Sequence, residues 1–133
     1  MRILIMGGTW FLGRAVAEEA LRRGWEVSTF NRGRSGPDVS GVQALHGDRT
    51  DPEDLSTLAS YGPWDVVVDT SSSALPPRDG PGRRPHASAV AERYVYISTV
   101  NAYRGWPSEP LTEQSELLDG PPDADAEYGR LPE

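Results

Sequence analysis

A chain of 133 residues with 37% apolar composition is long enough for one domain around one modest core, and too apolar for a disordered segment. The sequence contains no cysteine, which excludes disulfides, thiolate nucleophiles and cysteine-ligated zinc, and His46 and His86 are too few for a histidine-rich metal site. The net charge of −7 opposes association with phosphate backbones, so nucleic acid is not expected as a partner.

The excess charge is local: from Gly105 onward eight carboxylates face only Arg130. All 13 basic residues are arginine, so chemistry that needs a lysine amine is closed to this sequence. No apolar run approaches the length of a bilayer span, and the opening MRILIMGG turns polar too early for a secretory signal. A cytoplasmic location without a membrane partner is the expectation.

In chain order, RILIM (Arg2 to Met6) is a short apolar run closed by Gly7 and Gly8, the pattern of a strand buried on both faces of a parallel sheet. Leu12, Gly13, Val16, Ala17, Ala20 and Leu21 then recur at helical spacing. Glu18/Arg22 and Glu19/Arg23 stand four apart on the polar side. Gly24 is placed to cap this helix in the left-handed conformation, and WEVSTF supplies a second strand. Strand, glycine turn, helix and strand make a βαβ unit.

The turn-rich NRGRSGPDVSG leads to a third strand in VQALHGD. DPEDLSTLAS reads as a second helix: Asp51 is an N-cap, Pro52 suits the first helical position, and Glu53 and Asp54 favour the positive end of the dipole. Its buried stripe is expected to be Leu55, Leu58 and Ala59. WDVVVDT is a β-branched fourth strand and RYVYIST a fifth. The aromatic residues Trp25, Trp64, Tyr94, Tyr96 and Tyr103 are read as packing residues.

Alternating strands and helices predict an α/β fold, an incomplete doubly wound parallel sheet of Rossmann type with about five strands. The crossover over residues 71–88 is irregular. SSSALPPRDGPGRRP holds four prolines and no helical period, and only HASAVAER (His86 to Arg93) reads as about two turns of helix.

The stretch GGTWFLG (Gly7 to Gly13) lies between the first strand and first helix. A phosphate requires backbone N–H donors and the positive end of a helix dipole, and glycines let the main chain approach closely enough to supply both. Glycines alone are a weak signal; their place inside a βαβ unit supplies the confirming context. Nucleotide binding follows as the expectation, against the plainer possibility of a tight turn with no ligand.

MGGTWFLGRAVAEEALRRGWEVSTFNRG resembles the N-terminus of the NAD-dependent epimerase/dehydratase group, the extended and atypical short-chain dehydrogenase/reductases. The commoner pattern places glycines at the first, fourth and seventh positions. This sequence keeps Gly7 and Gly13, has Trp10 between them and adds Gly8, as GGTxFxG members of the atypical branch do. The resemblance implies cofactor contacts at Gly7, Thr9, Trp10, Phe11, Leu12 and Gly13, at Asp48 beside the adenine, and at Thr70 after the fourth strand. After the second strand, an acid favours NAD and an arginine accommodates the 2′-phosphate of NADP. Asn31, Arg32 and Arg34 stand there, which points to NADP, with NAD as the alternative.

Related enzymes carry Ser or Thr after the fifth strand in a pattern like STxxxY, followed by a Tyr and a Lys spaced YxxxK. ISTVNAY aligns Thr99 with the hydroxyl that hydrogen-bonds the substrate oxygen, with Ser98 as its neighbour, and EYGRLPE aligns Tyr128 with the proton-transferring tyrosine. A phenol with an ordinary pKa of about 10 is a poor base at neutral pH without a neighbouring cation. Pro132 stands in the place of the lysine, and Arg130, two residues from Tyr128, falls on another side of any helix.

The resemblance thus implies a truncated dinucleotide-binding Rossmann domain over residues 1–104. An acidic, proline-rich, flexible tail over 105–133 would carry the remnant of the Tyr-x-x-x-Lys motif. Ser71 to about Ala87 reads as a local disturbance of a GC-rich reading frame or as a divergent insertion. Three functions compete. The first is a reductase or epimerase/dehydratase acting on a nucleotide sugar or another carbonyl or alcohol, catalytically impaired by the missing lysine. The second is a non-catalytic dinucleotide-binding module, and the third a small α/β signalling domain, against which Gly7 and Gly8 occupy the place of a phosphoacceptor carboxylate. The expected partners are the dinucleotide, an unidentified small-molecule substrate, and a second chain through the open sheet edge after the fifth strand.

Overall fold

The computed structural model describes residues 1–70, 90–98, 100 and 103–117. Strands β1 (Arg2–Met6), β2 (Glu26–Asn31), β3 (Gln43–His46), β4 (Trp64–Asp69) and β5 (Ala91–Tyr96) accompany helices α1 (Phe11–Arg22) and α2 (Pro52–Ala59). The strands form one sheet in the order β3-β2-β1-β4-β5, and every pairing is parallel. In this order the chain runs outward from β1 to one edge through β2 and β3, then returns to the other side of β1 through β4 and β5. The fold is the expected α/β sheet of Rossmann type.

Side-chain alternation along β1 explains the two layers. Ile3 and Ile5 point to the face covered by α1, where they join Ala17, Ala20, Val27 and Val39. Leu4 and Met6 point the other way and pack with Phe30, Leu58 of α2, Trp64 and Val67. A strand apolar and buried at every position from Ile3 to Met6 is what a central strand covered on both faces requires. β5 reads differently because its neighbours cover one face better: Tyr94 and Tyr96 are half-buried, whereas Arg93 and Val95 are exposed.

The helices begin by different means. Asp51 caps α2 by accepting the backbone N–H of Glu53 at 2.8 Å, and Glu53 and Asp54 fill its first turn. α1 starts at Trp10 with no side-chain cap and no acid in the first turn. It ends as expected, with Gly24 at φ 74° accepting a conformation that few other residues adopt. On its outer face Glu19 pairs with Arg22 and Arg23, and hydrogen bonds from both guanidiniums bring its carboxyl down to about 2. Glu18 pairs with Arg14, 2.9 Å away, instead of the expected Arg22, whose guanidinium is bidentate to Glu19.

Other differences from the sequence reading have local causes. Leu12 lies in the first turn of α1, ahead of the stretch that packs on the sheet, and is 40% exposed. In α2 only Leu58 of the expected stripe is fully buried. Ala91 and Glu92, read as the end of a helix, belong to β5, which starts two residues before the expected Arg93, because Ala91 and Arg93 pair with Trp64 and Val66 of β4. His86 to Ala89 of that expected helix and the irregular crossover at 71–88 lie outside the described residues, and Val90 leads into β5, its carbonyl accepting the Trp64 N–H at 2.8 Å. The segment read as a flexible acidic tail opens with a closed turn: Tyr103 bridges Leu117 and the Arg104 N–H donates to the Glu116 carbonyl at 2.9 Å. Among the described residues, no helix is long and apolar enough to cross a membrane.

Candidate functional site

The carboxyl ends of β1, β2, β3 and β4 converge on one side of the sheet, and β1 is the strand where the order reverses. Open α/β sheets bind ligands in the crevice at such a point. Here it is a cavity of about 330 Å³ lined by Met6 to Trp10, Phe30 to Arg32, Ser35, Gly47 to Arg49 and Thr70. Each segment follows a strand end, so the sheet register fixes their spacing.

The floor is built by the glycine loop. Gly7 (φ 110°) and Gly8 (φ 98°) take conformations that other residues avoid. The chain then turns sharply into α1, and the Gly7 N–H donates to the Phe30 carbonyl at 2.8 Å. Gly13 serves close packing: a Cβ there would lie 2.6 Å from Thr70 Oγ1 and 2.7 Å from the Gly8 nitrogen. Thr70 is fixed in turn, its backbone N–H and its hydroxyl each 3.0 Å from the Met6 carbonyl. The uncapped start of α1 therefore adjoins a cavity floored by close-packed backbone. First-turn N–H groups without a side-chain cap, next to glycines that admit close approach, form a donor set suited to a phosphate.

The rim beyond β2 and β3 is charged. Asn31 closes an Asx-type turn by accepting the Gly33 N–H at 2.7 Å, and its amide donates to Asp38 Oδ1 at 3.1 Å. Asp38 Oδ2 is 2.8 Å from His46 Nε2. Asp48 accepts the Thr50 N–H and hydroxyl at 2.8 and 2.7 Å. Those hydrogen bonds, with the nearby positive charges of Arg32 and Arg34, hold the Asp48 carboxyl below the usual carboxylate range. The Asp48 N–H donates to Asp54 Oδ2 at 2.7 Å, tying this corner to α2.

One buried polar cluster lies behind the cavity. Asp69, 1% exposed at the end of β4, receives both Arg49 amino groups at 2.9 and 2.7 Å and the Tyr94 hydroxyl. Burial and the adjoining Asp69 carboxylate push the Tyr94 phenol well above its ordinary range. Tyr94 therefore stays protonated and donates, which suits a sheet residue and rules it out as a base. Burial alone would lower the Arg49 guanidinium, but hydrogen bonds to Asp69 and its charge outweigh that effect and raise it.

Of the residues expected to contact a cofactor, the cavity brings together Gly7, Thr9, Trp10, Asn31, Arg32, Asp48 and Thr70. Phe11, Leu12 and Gly13 lie beside it in the first turn of α1, with Phe11 83% exposed. Arg34 lies off the lining but close enough to act on Asp48. The expected catalytic residues Thr99 and Tyr128 fall outside the described residues, and Ser98 is exposed after β5. The sequence reading did not name Gly8, Ser35 and Arg49 as lining, nor Asp69 as the anchor of Arg49. A carboxylate closing the apolar run VVVD was the available signal, since a charge in a buried strand requires a partner.

The model of the NAD dependent epimerase/dehydratase family matches residues 3–79. An Arabidopsis thaliana protein named chloroplast stem-loop binding protein of 41 kDa b is 29% identical over 118 residues, covering 77% of this chain and 30% of that protein. A Zea mays divinyl chlorophyllide a 8-vinyl-reductase is 36% identical over 78 residues, covering 50% of this chain and 20% of that one. Among solved structures, a short-chain dehydrogenase/reductase superfamily protein from Agrobacterium tumefaciens with bound NAD superposes with a TM-score of 0.69 at 24% identity, over 92% of this chain and 40% of that one. The chain thus spans less than a third of the length of either plant relative. Sheet order, glycine loop and a family match over more than half of the sequence agree, and the chain belongs to the NAD-dependent epimerase/dehydratase family.

Proposed function

We propose that this chain binds a nicotinamide dinucleotide, NADP in preference to NAD, and forms the cofactor half of an epimerase/dehydratase or an oxidoreductase. The observation that carries the reading is the cavity at the strand ends, where the glycine loop, Asn31, Arg32, Asp48 and Thr70 meet. The backbone of Gly7 to Trp10 and the uncapped first turn of α1 hold the pyrophosphate. Arg32, with Arg34 close by, attracts the 2′-phosphate of the adenosine ribose, and Asp48 borders the adenine. Thr70 fixes the edge of the site through its hydrogen bonds to Met6 and its contact with α1 at Gly13.

A bound nicotinamide supplies a hydride acceptor or donor for an alcohol or carbonyl substrate. The family resemblance assigns the substrate hydroxyl contact to Thr99 and the proton transfer to Tyr128. No lysine exists in the sequence to favour the phenolate, so turnover by this chain is expected to be weak. That absence supports a second reading, a dinucleotide-binding module without chemistry. Candidate substrates are nucleotide sugars and other carbonyl or alcohol compounds. The Arabidopsis relative is named for binding a stem-loop, but the net charge of −7 here opposes that activity.

Calorimetric titration with NADPH and NADH tests the reading. Saturable binding, tighter for NADPH, is expected, and binding of neither nucleotide would refute it. Binding without turnover over a panel of carbonyl substrates would select the module over the enzyme.

A further inference from the structure

The strand-end position that selects between NAD and NADP is more elaborate than its sequence. Asn31 ends β2 and Arg32 and Arg34 follow it, with no acid among them. Yet the loop after β2 returns a carboxylate to this place: Asp38, seven residues along, accepts from the Asn31 side chain at 3.1 Å. A carboxylate near the adenosine ribose favours the 2′-hydroxyl of NAD and repels the dianionic 2′-phosphate of NADP. Here its second oxygen is engaged, with His46 Nε2 only 2.8 Å from Asp38 Oδ2. A carboxylate can only accept, so the facing ring nitrogen carries the proton in either charge state of the imidazole.

We infer that the Asp38–His46 pair sets the NADP-over-NAD discrimination of this chain, His46 masking a carboxylate that would otherwise stand against a 2′-phosphate. The inference rests on the dinucleotide reading above and deepens it. The pair stands among several charges: Arg32 and Arg34 on the same loop, Asp48 and Arg49 after β3, and Asp54 on α2. Asp48 is occupied by Thr50 and lies in the field of both loop arginines, and Arg49 is held by Asp69. Asp38 is held at both oxygens, Oδ1 by the Asn31 amide and Oδ2 by His46, and His46 is the partner that can be removed without touching the cavity lining. The Asp38 side chain is 27% exposed and that of His46 52%, and neither lines the cavity, but Asn31, which donates to Asp38, does.

The full chain and its variants would be titrated with NADPH and with NADH. His46→Ala uncovers Asp38, and the ratio of NADPH to NADH affinity is expected to fall about five-fold, the size of one screened like-charge contact. His46→Phe, which keeps a ring beside Gly33 but lacks the donor, should lower it equally and serves if the alanine variant fails to fold. His46→Gln, whose amide nitrogen reaches about as far as the ring Nε2 and can still donate to Asp38, should keep the wild-type ratio. Adding Asp38→Asn to His46→Ala should restore it. Parallel loss of both nucleotides would mean that the pair only shapes the loop, and with an unchanged ratio would overturn the inference alone. A wild-type chain that binds neither nucleotide would overturn the dinucleotide reading and this inference together.

Discussion

Asp69 shows how far a single residue constrains this site. It is buried at the carboxyl end of β4, and its partners come from the β3–α2 connection through Arg49 and from β5 through Tyr94. Breaking a buried pair is costly because the remaining charge loses its compensation. Asp69→Ala is expected to destabilise the protein by about 3 kcal/mol, toward the lower end for such pairs because Arg49 is 17% exposed and gains some water. Urea denaturation checks this; a loss below about 1 kcal/mol would place Asp69 among surface pairs instead. The same residue marks the limit of legibility. A carboxylate closing an apolar strand was the one available signal, but Arg49 and Tyr94 lie 20 and 25 positions away, and no local spacing relates them. Asp38 was hidden for a similar reason: only the path of the loop brings it back to Asn31 and His46.

The elements were more readable than the contacts between them, because they rest on local chemistry. The two helices illustrate two kinds of signal. α2 announced itself through Asp51, Pro52, Glu53 and Asp54, and the structure uses Asp51 as the cap. Asp51→Ala should therefore cost about 1 kcal/mol, read as a shift of the urea midpoint at unchanged slope. An unchanged midpoint would show that packing of Leu58 holds the helix without its cap. α1 was found from apolar periodicity, and the missing cap at its start is legible only beside the cavity that it adjoins. β5 was less legible at its start. Ala91 and Glu92 favour helix locally, and their strand conformation comes from parallel pairing along β4, a tertiary effect that overrides weak propensity.

At the scale of the whole molecule the sheet is asymmetric. Among the described residues it ends on one side in β3, only four residues long with Gln43 and His46 exposed, the kind of edge that resists further pairing. On the other side it ends, among the described residues, in β5, which is six residues long and paired with β4 alone. Arg93 and Val95 share the face on which α1 packs against the sheet centre, yet both are exposed, Val95 to 45%. A long edge strand with exposed apolar side chains is a template for pairing with another chain. The charge of −7 works against that encounter, since two copies repel over a distance set by the ionic strength. Attraction at the edge and repulsion between whole molecules have different salt dependences, which separates them. Sedimentation velocity is expected to show a largely monomeric chain at about 0.01 M salt and growing self-association at about 0.15 M, as the screening length shortens from roughly 30 to 8 Å. Val95→Lys should suppress that association by adding a charge to the edge strand without removing a buried side chain. Association that weakens with salt, or that survives Val95→Lys, would locate the contact away from β5.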